Sequence, residues 1–355
     1  MILFQNYFYN DDIGKLKHKA HVTEKADVVV VGGGIVGLAS LYSLLQKRID
    51  AILIDSNTIG FRASGRSLGT ASASLNLGIK PFLESYDQFV ENNKILKKII
   101  KNPTGIDCGL IENGEIILTT NELNIKSNDR IEVLSKTDVN NLYKVKNFKG
   151  GFFVPNSVSF NPYRLITHLI IHCESSGSRI YEGVFPIFIE QKDGKVFIET
   201  DGDQKIECNK VIFCDPFYYK FKYDKKLKYR LFFSYCTPIL SNSMLQDLPH
   251  NLIYLLDFNC YIKIHDSRIF FYSPNFFNLE KTKKIICRLF RLDNLIITYY
   301  WYGKVYYMED KYFILNQLND NIIYNTAYNN HAFSWCFYNA NKIANAISDN
   351  KKLGG

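Results

Sequence analysis

The chain has 355 residues, of which 46% are hydrophobic and 22% are charged, and these values exclude a fibrous or wholly disordered protein. A chain of this length can bury a large core and indicates about two domains. The net charge of +8 accompanies abundant Asn, Ile and Lys, a composition typical of an AT-rich genome. The charge by itself therefore does not indicate a nucleic-acid partner.

A glycine-rich turn joins the first predicted strand to the first predicted helix. Residues 28–31 form an unbroken run of valine, which is typical of a buried parallel strand. Gly32, Gly34 and Gly37 follow in GxGxxG spacing, and apolar residues then recur at helical intervals. In this pattern the glycines make the turn, let a pyrophosphate approach the backbone, and let helix and strand pack closely. The positive end of the helix then faces the phosphates, so we predict a dinucleotide site.

The second predicted strand supplies a further ligand for the dinucleotide. Residues 51–54 are apolar and end in Asp55, 18 residues after Gly37. A carboxylate at about this distance accepts hydrogen bonds from an adenosine ribose and repels a 2′-phosphate, which disfavours NADP. The alternative is that Asp55 only caps the strand end.

The segment after Asp55, residues 56–75, distinguishes FAD from NAD. Ala63, Ser64 and Gly65 are small enough for a backbone to lie against a pyrophosphate and a flavin edge. Ser64 and Ser67 can donate hydrogen bonds, and Arg66 adds a positive charge near the phosphates. The run IGFRASGRSLG resembles a loop of the D-amino-acid oxidase superfamily of FAD-dependent oxidoreductases, most closely in the glycine oxidase and gamma-glutamylputrescine oxidase-like branch. This resemblance implies FAD as the cofactor.

The resemblance also implies the fold class, which is α/β. We expect a Rossmann-like FAD-binding domain of the glutathione-reductase type and a second, mainly antiparallel β substrate domain. The predicted segments are residues 26–85, 150–216 and 310–350 for the FAD-binding domain, 86–149 and 217–309 for the substrate domain, and 1–25 for an N-terminal arm.

The end of the chain resembles the family's flavin loop, which reads approximately GxxGHGF. Here residues 327–333 read AYNNHAF, so three glycines are replaced. Asn tolerates a positive φ better than most residues, so we expect Asn330 to keep the turn, whereas Ala332 is harder to accommodate. With the loop included, the predicted FAD contacts are Gly32, Gly34, Ile35, Val36, Gly37, Asp55, Ser56, Ala63, Ser64, Gly65, Arg66, Ser67, Val184, Asn330, His331, Ala332 and Phe333.

The substrate end departs from the family. The glycine-oxidase-like motif WxGLRP appears here as WYGKVY, so Val305 stands where an arginine would clamp a substrate carboxylate. We therefore expect poor binding of glycine, sarcosine and D-amino acids.

Tyr261, His265 and Lys304 are the candidate catalytic residues. Some relatives attach flavin through a cysteine, and Gly303 stands at that position, so we expect FAD to be bound non-covalently.

The remaining features indicate the setting of the protein. The eight cysteines show no CxxC or zinc-like spacing, which favours reduced thiols in the cytoplasm, and we expect no metal. The uncharged stretch 28–45 is long enough for a membrane helix, but its central glycines favour β-turn-α, so we expect no membrane span. Residues 221–233 interleave basic and aromatic side chains, and a hairpin edge guarded by lysines accounts for them better than a nucleic-acid partner does.

The function implied by the resemblance is FAD-dependent oxidation of the C–N bond of an amine or amino acid, by hydride transfer to flavin N5. Two alternatives remain. The lost glycines and missing arginine are also typical of a catalytically degenerate flavoprotein, or an FAD-binding subunit that acts through a protein partner. The basic segment leaves open a tRNA-modifying flavoprotein of the same superfamily. The sequence does not indicate the oligomeric state, or whether O2 or another compound accepts the electrons.

Overall fold

The structure is a computed structural model that describes residues 24–353 except 76, 103, 124, 144–146, 203, 218–226, 239–251 and 274–278. Of the predicted N-terminal arm, residues 1–23 lie outside the described residues. So does most of the lysine-rich part of the segment 221–233.

The described residues form eighteen strands and seven α-helices. The strands are β1 (Glu24–Val31), β2 (Ala51–Asp55), β3 (Thr70–Ala71), β4 (Glu115–Thr119), β5 (Glu132–Ser135), β6 (Gly150–Val154), β7 (Val158–Ser159), β8 (Arg179–Glu182), β9 (Pro186–Lys192), β10 (Lys195–Thr200), β11 (Lys205–Phe213), β12 (Lys228–Pro238), β13 (Leu252–Leu255), β14 (Cys260–His265), β15 (Arg268–Ser273), β16 (Tyr299–Tyr307), β17 (Ile314–Gln317) and β18 (Ile322–Thr326). The helices are α1 (Ile35–Gln46), α2 (Ile79–Glu84), α3 (Tyr86–Ile100), α4 (Lys136–Tyr143), α5 (Pro162–Ser175), α6 (Leu279–Phe290) and α7 (Cys336–Ser348).

The first large sheet has a parallel centre. Its order is β17-β18-β11-β1-β2-β8, and β18, β11, β1, β2 and β8 run parallel. The hairpin of β9 and β10 extends it by antiparallel pairing of β10 with β11. Helices α1, α5 and α7 pack together on this sheet, and the valines of β1 are at most 3% exposed. A β-branched run buried on both faces is what a central parallel strand requires.

The second large sheet is antiparallel except where β13 runs parallel to β4. Its order is β16-β12-β15-β14-β13-β4-β6-β5. Alternate residues of β14 enter different cores: Ile262 and Ile264 pack with Ile286 and Leu289 of α6. On the opposite face, Tyr261 belongs to the core that also contains the first sheet. This alternation follows from the two-residue period of a strand.

One hydrophobic core spans both sheets. It contains Val28 of β1 and Leu38 of α1 together with Phe232 of β12, Tyr261 of β14 and Trp301 of β16. All five side chains are at most 6% exposed. The two sheets are therefore joined by continuous apolar packing.

The predicted fold class is confirmed, with an α/β sheet and a second, mainly antiparallel sheet. The predicted division into segments remains a proposal. Two elements bear on its boundaries: β6 begins the predicted segment 150–216 but pairs with β4 and β5 in the second sheet, and α3 packs on α7. Among the described residues, no helix combines the length and apolar composition needed to cross a bilayer.

Candidate functional site

The carboxyl ends of the central parallel strands open onto one cleft between the two sheets. Ligands in open α/β sheets bind at this edge. The cleft contains about 960 Å³ of space that protein does not fill, part of it open to solvent. Its lining comes from the glycine turn, the loop after β2, the turn after β11, strand β16 and the loop after β18: Gly32, Gly34, Val36, Asp55, Thr58, Gly60, Phe61, Arg62, Ala63, Ser64, Ser67, Cys214, Asp215, Pro216, Lys304, Val305, Tyr306, Thr326, Ala327, Tyr328, Asn329, Asn330, Ala332 and Phe333.

The amino end of α1 faces this cleft with unused hydrogen-bond donors. Gly34 is the N-cap, no side chain of its own caps the helix, and the first turn carries no acidic residue. The Ile35 amide donates to Ser64 Oγ at 3.0 Å, whereas the amides of Gly34 and Val36 form no hydrogen bond with the described residues. An uncapped helix end of this kind attracts an anion such as a phosphate.

Two of the three glycines of this turn are required by the structure, Gly37 by close packing and Gly32 by its backbone conformation. A Cβ on Gly37 would lie 1.8 Å from the carbonyl oxygen of Gly32, so helix α1 can approach β1 only because residue 37 has no side chain. Gly32 has φ +109°, which favours glycine. A Cβ on Gly34 would lie 3.0 Å from Ser64 Oγ, at the wall of the cleft.

Asp55 stands at the end of β2 between the cleft and a smaller adjoining pocket. Its Oδ2 accepts from the Gly33 amide at 2.6 Å and its Oδ1 from the Asn57 amide at 2.7 Å, while burial raises the pKa of the carboxyl. Asp55 therefore caps the strand end, and each oxygen keeps a further lone pair for a ligand. The smaller pocket is lined by Val31, Gly32, Ile54, Asp55, Ser56, Val184, Phe185, Pro186 and Asp215, which places Ser56 and Val184 beside Asp55.

The loop after β2 presents a different arginine from the one expected. The Arg66 guanidinium lies over the Phe61 ring at 4.5 Å and donates to the Tyr302 carbonyl at 3.1 Å, away from the cleft lining. Arg62 lines the cleft instead, with Nη1 3.5 Å from the Asp215 carboxylate. Both arginines lie in one irregular loop, where sequence periodicity does not indicate which side chain faces the ligand.

Three residues of the loop after β18 adopt positive φ angles: Ala327 at +58°, Asn329 at +51° and Asn330 at +70°. Asn330 thus has the conformation expected of it. The expectation that Ala332 is hard to accommodate is wrong, because Ala332 begins a 3-10 turn and has no positive φ. The alanine in a left-handed conformation is Ala327, at the first glycine position of the family loop.

A second adjoining pocket, with about 390 Å³ that protein does not fill, lies between this loop and the inner face of the second sheet. We call it the small polar pocket; its lining is Ser67, Leu68, Thr70, Ser72, Phe232, Ser234, Tyr261, Tyr272, Asn330, His331 and Phe333. Burial, with a smaller effect of the nearby Arg230, lowers the pKa of His331 to about 3, so its imidazole is neutral at physiological pH. The Ser234 Oγ is buried and has no hydrogen-bond partner among the described residues.

The three candidate catalytic residues lie in three places. Tyr261 lines the small polar pocket; its hydroxyl donates to the Ala73 carbonyl at 3.2 Å, its ring stacks on Tyr254, and burial raises its pKa. Lys304 lies on the cleft wall, exposed, with Nζ 4.0 Å from the centre of the Tyr229 ring. His265 lies away from both pockets, with Nε2 3.2 Å from Asp266.

Most of the residues predicted to contact FAD lie together around the cleft and its two adjoining pockets. Ten line the cleft, Ser56 and Val184 line the adjoining adenosine-side pocket, and His331 lines the small polar pocket. Ile35 and Gly37 shape the turn, while Gly65 and Arg66 lie behind the lining. The sequence did not predict several lining residues. Thr58, Phe61 and Arg62 were missed because they lie in an irregular loop without a period. Asp215 and Asn329 were missed because contacts between distant segments leave no local pattern.

These features together define a class of protein. A glycine turn, an uncapped helix end, a carboxylate after the second strand and pockets at both ends of one cleft are typical of enzymes that bind a dinucleotide in extended form. The described residues contain no group of three or more His, Cys, Asp or Glu arranged to hold a metal ion.

Comparisons with known proteins identify the family. The model of the DAO family, described as FAD dependent oxidoreductase, matches residues 27–346. The chain is 23% identical to the probable oxidoreductase OrdL of Haemophilus influenzae, over 93% of this chain and 85% of that protein. It is 22% identical to the gamma-glutamylputrescine oxidoreductase of Escherichia coli, over 89% and 82%. Glycine oxidase from Geobacillus kaustophilus has the same fold, with a TM-score of 0.76 at 16% identity over 94% of this chain and 96% of that one.

The chain therefore belongs to the DAO family of FAD-dependent oxidoreductases. Its cofactor is accordingly a flavin, and the protein is an oxidoreductase.

Proposed function

We propose that this protein binds FAD non-covalently and oxidises the C–N bond of an amine or amino acid. One observation carries the proposal: the cleft at the amino end of α1 adjoins the small polar pocket, and Ser67, Asn330 and Phe333 line both spaces. A cofactor held by its phosphates at α1 would thus have its far end beside Tyr261 and His331. Two of the related proteins, the gamma-glutamylputrescine oxidoreductase and the glycine oxidase, support this substrate class by their names.

The residues present fit FAD. The amides of Gly34 and Val36, with Ser64, would hold the pyrophosphate; Asp55 would hold the ribose; and Ser56 and Val184 would border the adenine. The flavin end would lie along the loop that contains Asn330 and Phe333. The positive end of α1 and the guanidinium of Arg62 both favour the phosphate charge.

A bound FAD would supply the two-electron chemistry, as the acceptor of the hydride that leaves the carbon next to the amine nitrogen. The protein controls the protonation states of the groups around the substrate. His331 is neutral and the tyrosines of the small polar pocket stay protonated, because burial raises the pKa of Tyr261 and Tyr272. A pocket without ionised acids disfavours an ammonium ion, so the substrate amine enters in its neutral, oxidisable form.

Non-covalent binding is part of the proposal. Gly303 stands where some relatives carry a flavin-linking cysteine, and a Cβ there would lie 2.3 Å from the Phe232 ring. Cys214 lines the cleft, but burial raises the pKa of its thiol to about 12, which removes the reactive thiolate. All eight cysteines are free thiols, which supports our proposal that the protein resides in the reducing cytoplasm.

A second candidate is an FAD-binding subunit without turnover. The replaced glycines of the loop after β18 and the absence of the family arginine at Val305 favour it. The chain is also 24% identical, over 56% of its length, to a pyruvate dehydrogenase phosphatase regulatory subunit of Mus musculus.

Optical spectroscopy tests the proposal. We expect the purified protein to be yellow, acid precipitation to release FAD into the supernatant, and an anaerobic panel of amines and amino acids to bleach the flavin band. Flavin that stays in the pellet would contradict non-covalent binding. A yellow protein that no member of the panel bleaches would favour the second candidate, and a colourless protein that FAD does not reconstitute would overturn both. Repeating the reduction in air shows whether O2 reoxidises the flavin.

A further inference from the structure

A single guanidinium bridges the two sides of the cleft, at the point where the cleft joins the adenosine-side pocket. Nη1 of Arg62 lies 3.5 Å from Oδ2 of Asp215, and Nη2 of Arg62 donates to Oγ of Ser56 at 3.5 Å. Ser56 follows β2 and Asp215 follows β11, and β1 lies between these two strands in the sheet. Because the carboxyl ends of these parallel strands lie at one edge, the side chain of Arg62 reaches across the end of β1.

The acidic end of this bridge is held firmly. The Asp215 amide donates to the Val31 carbonyl at 3.2 Å, and Oδ1 of Asp215 accepts from the Phe217 amide at 2.8 Å. The backbone also packs on the glycine turn, since a Cβ on Gly32 would lie 2.8 Å from the Asp215 nitrogen. Asp215 therefore has a fixed position, at a wall that the cleft and the adenosine-side pocket share.

The basic end of the bridge is free to move. The side chain of Arg62 is 60% exposed, and both of its contacts are longer than an ordinary hydrogen bond. An exposed ion pair of this kind is weak, so the arginine can rotate away without any change of the backbone. The bridge can therefore open and close by the motion of one side chain.

We propose that Arg62 and Asp215 form a strap that closes over bound FAD and slows its release. This inference rests on the binding of FAD in the proposed function and does not depend on amine oxidation. A cofactor held both in the adenosine-side pocket and at the amino end of α1 has to pass the point that the strap crosses. A lone carboxylate at this point would repel the pyrophosphate, and its pairing with Arg62 offsets that repulsion.

The variant Asp215→Asn provides the decisive test, because it removes the charge and keeps an acceptor for the Phe217 amide. Flavin fluorescence after dilution of the FAD-loaded protein measures the rate of release. A strap predicts release about threefold faster from Asp215→Asn than from the unaltered protein. Repulsion alone predicts the opposite, because the loss of a carboxylate near the phosphates would slow release. Salt screens the pair, so the ratio of the two release rates should fall toward one as ionic strength rises.

Two further variants separate the strap from general effects of charge. If Asp215 acts through Arg62, adding Asp215→Asn to Arg62→Gln should not accelerate release beyond Arg62→Gln alone. Glu122→Gln is the matched control, because it removes the carboxylate of another exposed ion pair, 3.2 Å from Nζ of Lys149 and outside the cleft lining. We expect this control to release FAD at the unaltered rate. Should Asp215→Asn not fold, Asp215→Ser replaces it under the same criteria.

Unchanged or slower release from Asp215→Asn overturns the proposal. So does an equal acceleration in Glu122→Gln, or a further acceleration when Asp215→Asn is added to Arg62→Gln. A protein that cannot be loaded with FAD overturns both the strap and the proposed function. Release that depends on the strap, in a protein whose flavin no amine reduces, would support the strap while contradicting the proposed oxidation.

Discussion

At the residue scale, the loop after β18 shows how a family pattern survives the loss of its glycines. Asn329 and Asn330 adopt left-handed angles that asparagine tolerates, whereas Ala327 adopts one that alanine does not favour. The left-handed conformation costs an L-residue about 1–2 kcal/mol, and the packing of the neighbouring Tyr328 and Phe333 must offset this cost.

Replacing Ala327 with glycine should stabilise the protein by about 0.5–1 kcal/mol, because relief of the left-handed strain exceeds the extra chain entropy of glycine. Ala332→Gly is the matched control. Ala332 has no positive φ, so glycine there should destabilise by about 0.5–1 kcal/mol. Urea unfolding of the two variants measures both changes, and a loss of stability in Ala327→Gly would show that its φ angle carries no strain.

Glu115 makes a pH-dependent contribution to stability. Its side chain is fully buried; Oε2 accepts from the Ala73 amide at 2.9 Å and from Ser157 Oγ at 3.0 Å, while Oε1 has no partner among the described residues. Burial raises the pKa of this carboxyl from 4.5 to about 8. At a pH between these two values, the folded protein therefore keeps a proton on Glu115 that the unfolded chain has already released. The free energy of unfolding consequently falls as pH rises through this window.

The variant Glu115→Gln should remove this pH dependence, because glutamine resembles the protonated acid and does not titrate. Relative to the unaltered protein, the variant should gain on the order of 3 kcal/mol in unfolding free energy between pH 5 and pH 8. Urea unfolding at both pH values measures the difference, and the other titrating groups cancel between the two proteins. A constant difference across this range would mean that Glu115 is ionised throughout.

At the scale of elements, the turn from β1 to α1 combines a packing role and a ligand role that separate residue by residue. Gly37 permits the contact of helix and strand, and a Cβ there would meet the Gly32 carbonyl oxygen at 1.8 Å. Gly34 instead borders the cleft beside Ser64. Substitution at 37 should therefore disrupt folding, and substitution at 34 should leave the fold intact.

Gly34→Ala should weaken FAD binding at least tenfold, or about 1.4 kcal/mol. The added methyl group would displace Ser64 Oγ, 3.0 Å away, and narrow the approach to the free amides of α1. Flavin fluorescence titration of the cofactor-free protein gives the dissociation constant. Gly202→Ala serves as the control, since Gly202 lies in an exposed turn where an added Cβ would lie 3.6 Å from Gln204, an ordinary contact. An unchanged affinity in Gly34→Ala would contradict the phosphate role of this turn.

At the scale of the whole molecule, the parts that the sequence predicts are those encoded over short distances. The glycine turn, Asp55 and the small residues 63–65 each lie within a few residues of the strand that positions them. Arg62 and Arg66 could not be told apart, because an irregular loop has no period. Ser234 lines the small polar pocket from strand β12, which pairs with β16 about 70 residues further along the chain, and no local pattern reports such a pairing.

The single core that runs from β1 and α1 through to β12, β14 and β16 has a consequence for how such a protein can change. Among the described residues, apolar packing runs from the first sheet to the second without a break, so neither sheet is an exchangeable module. We therefore expect a change of specificity to come from point replacements in the strands that line the cleft, rather than from the exchange of one sheet for another.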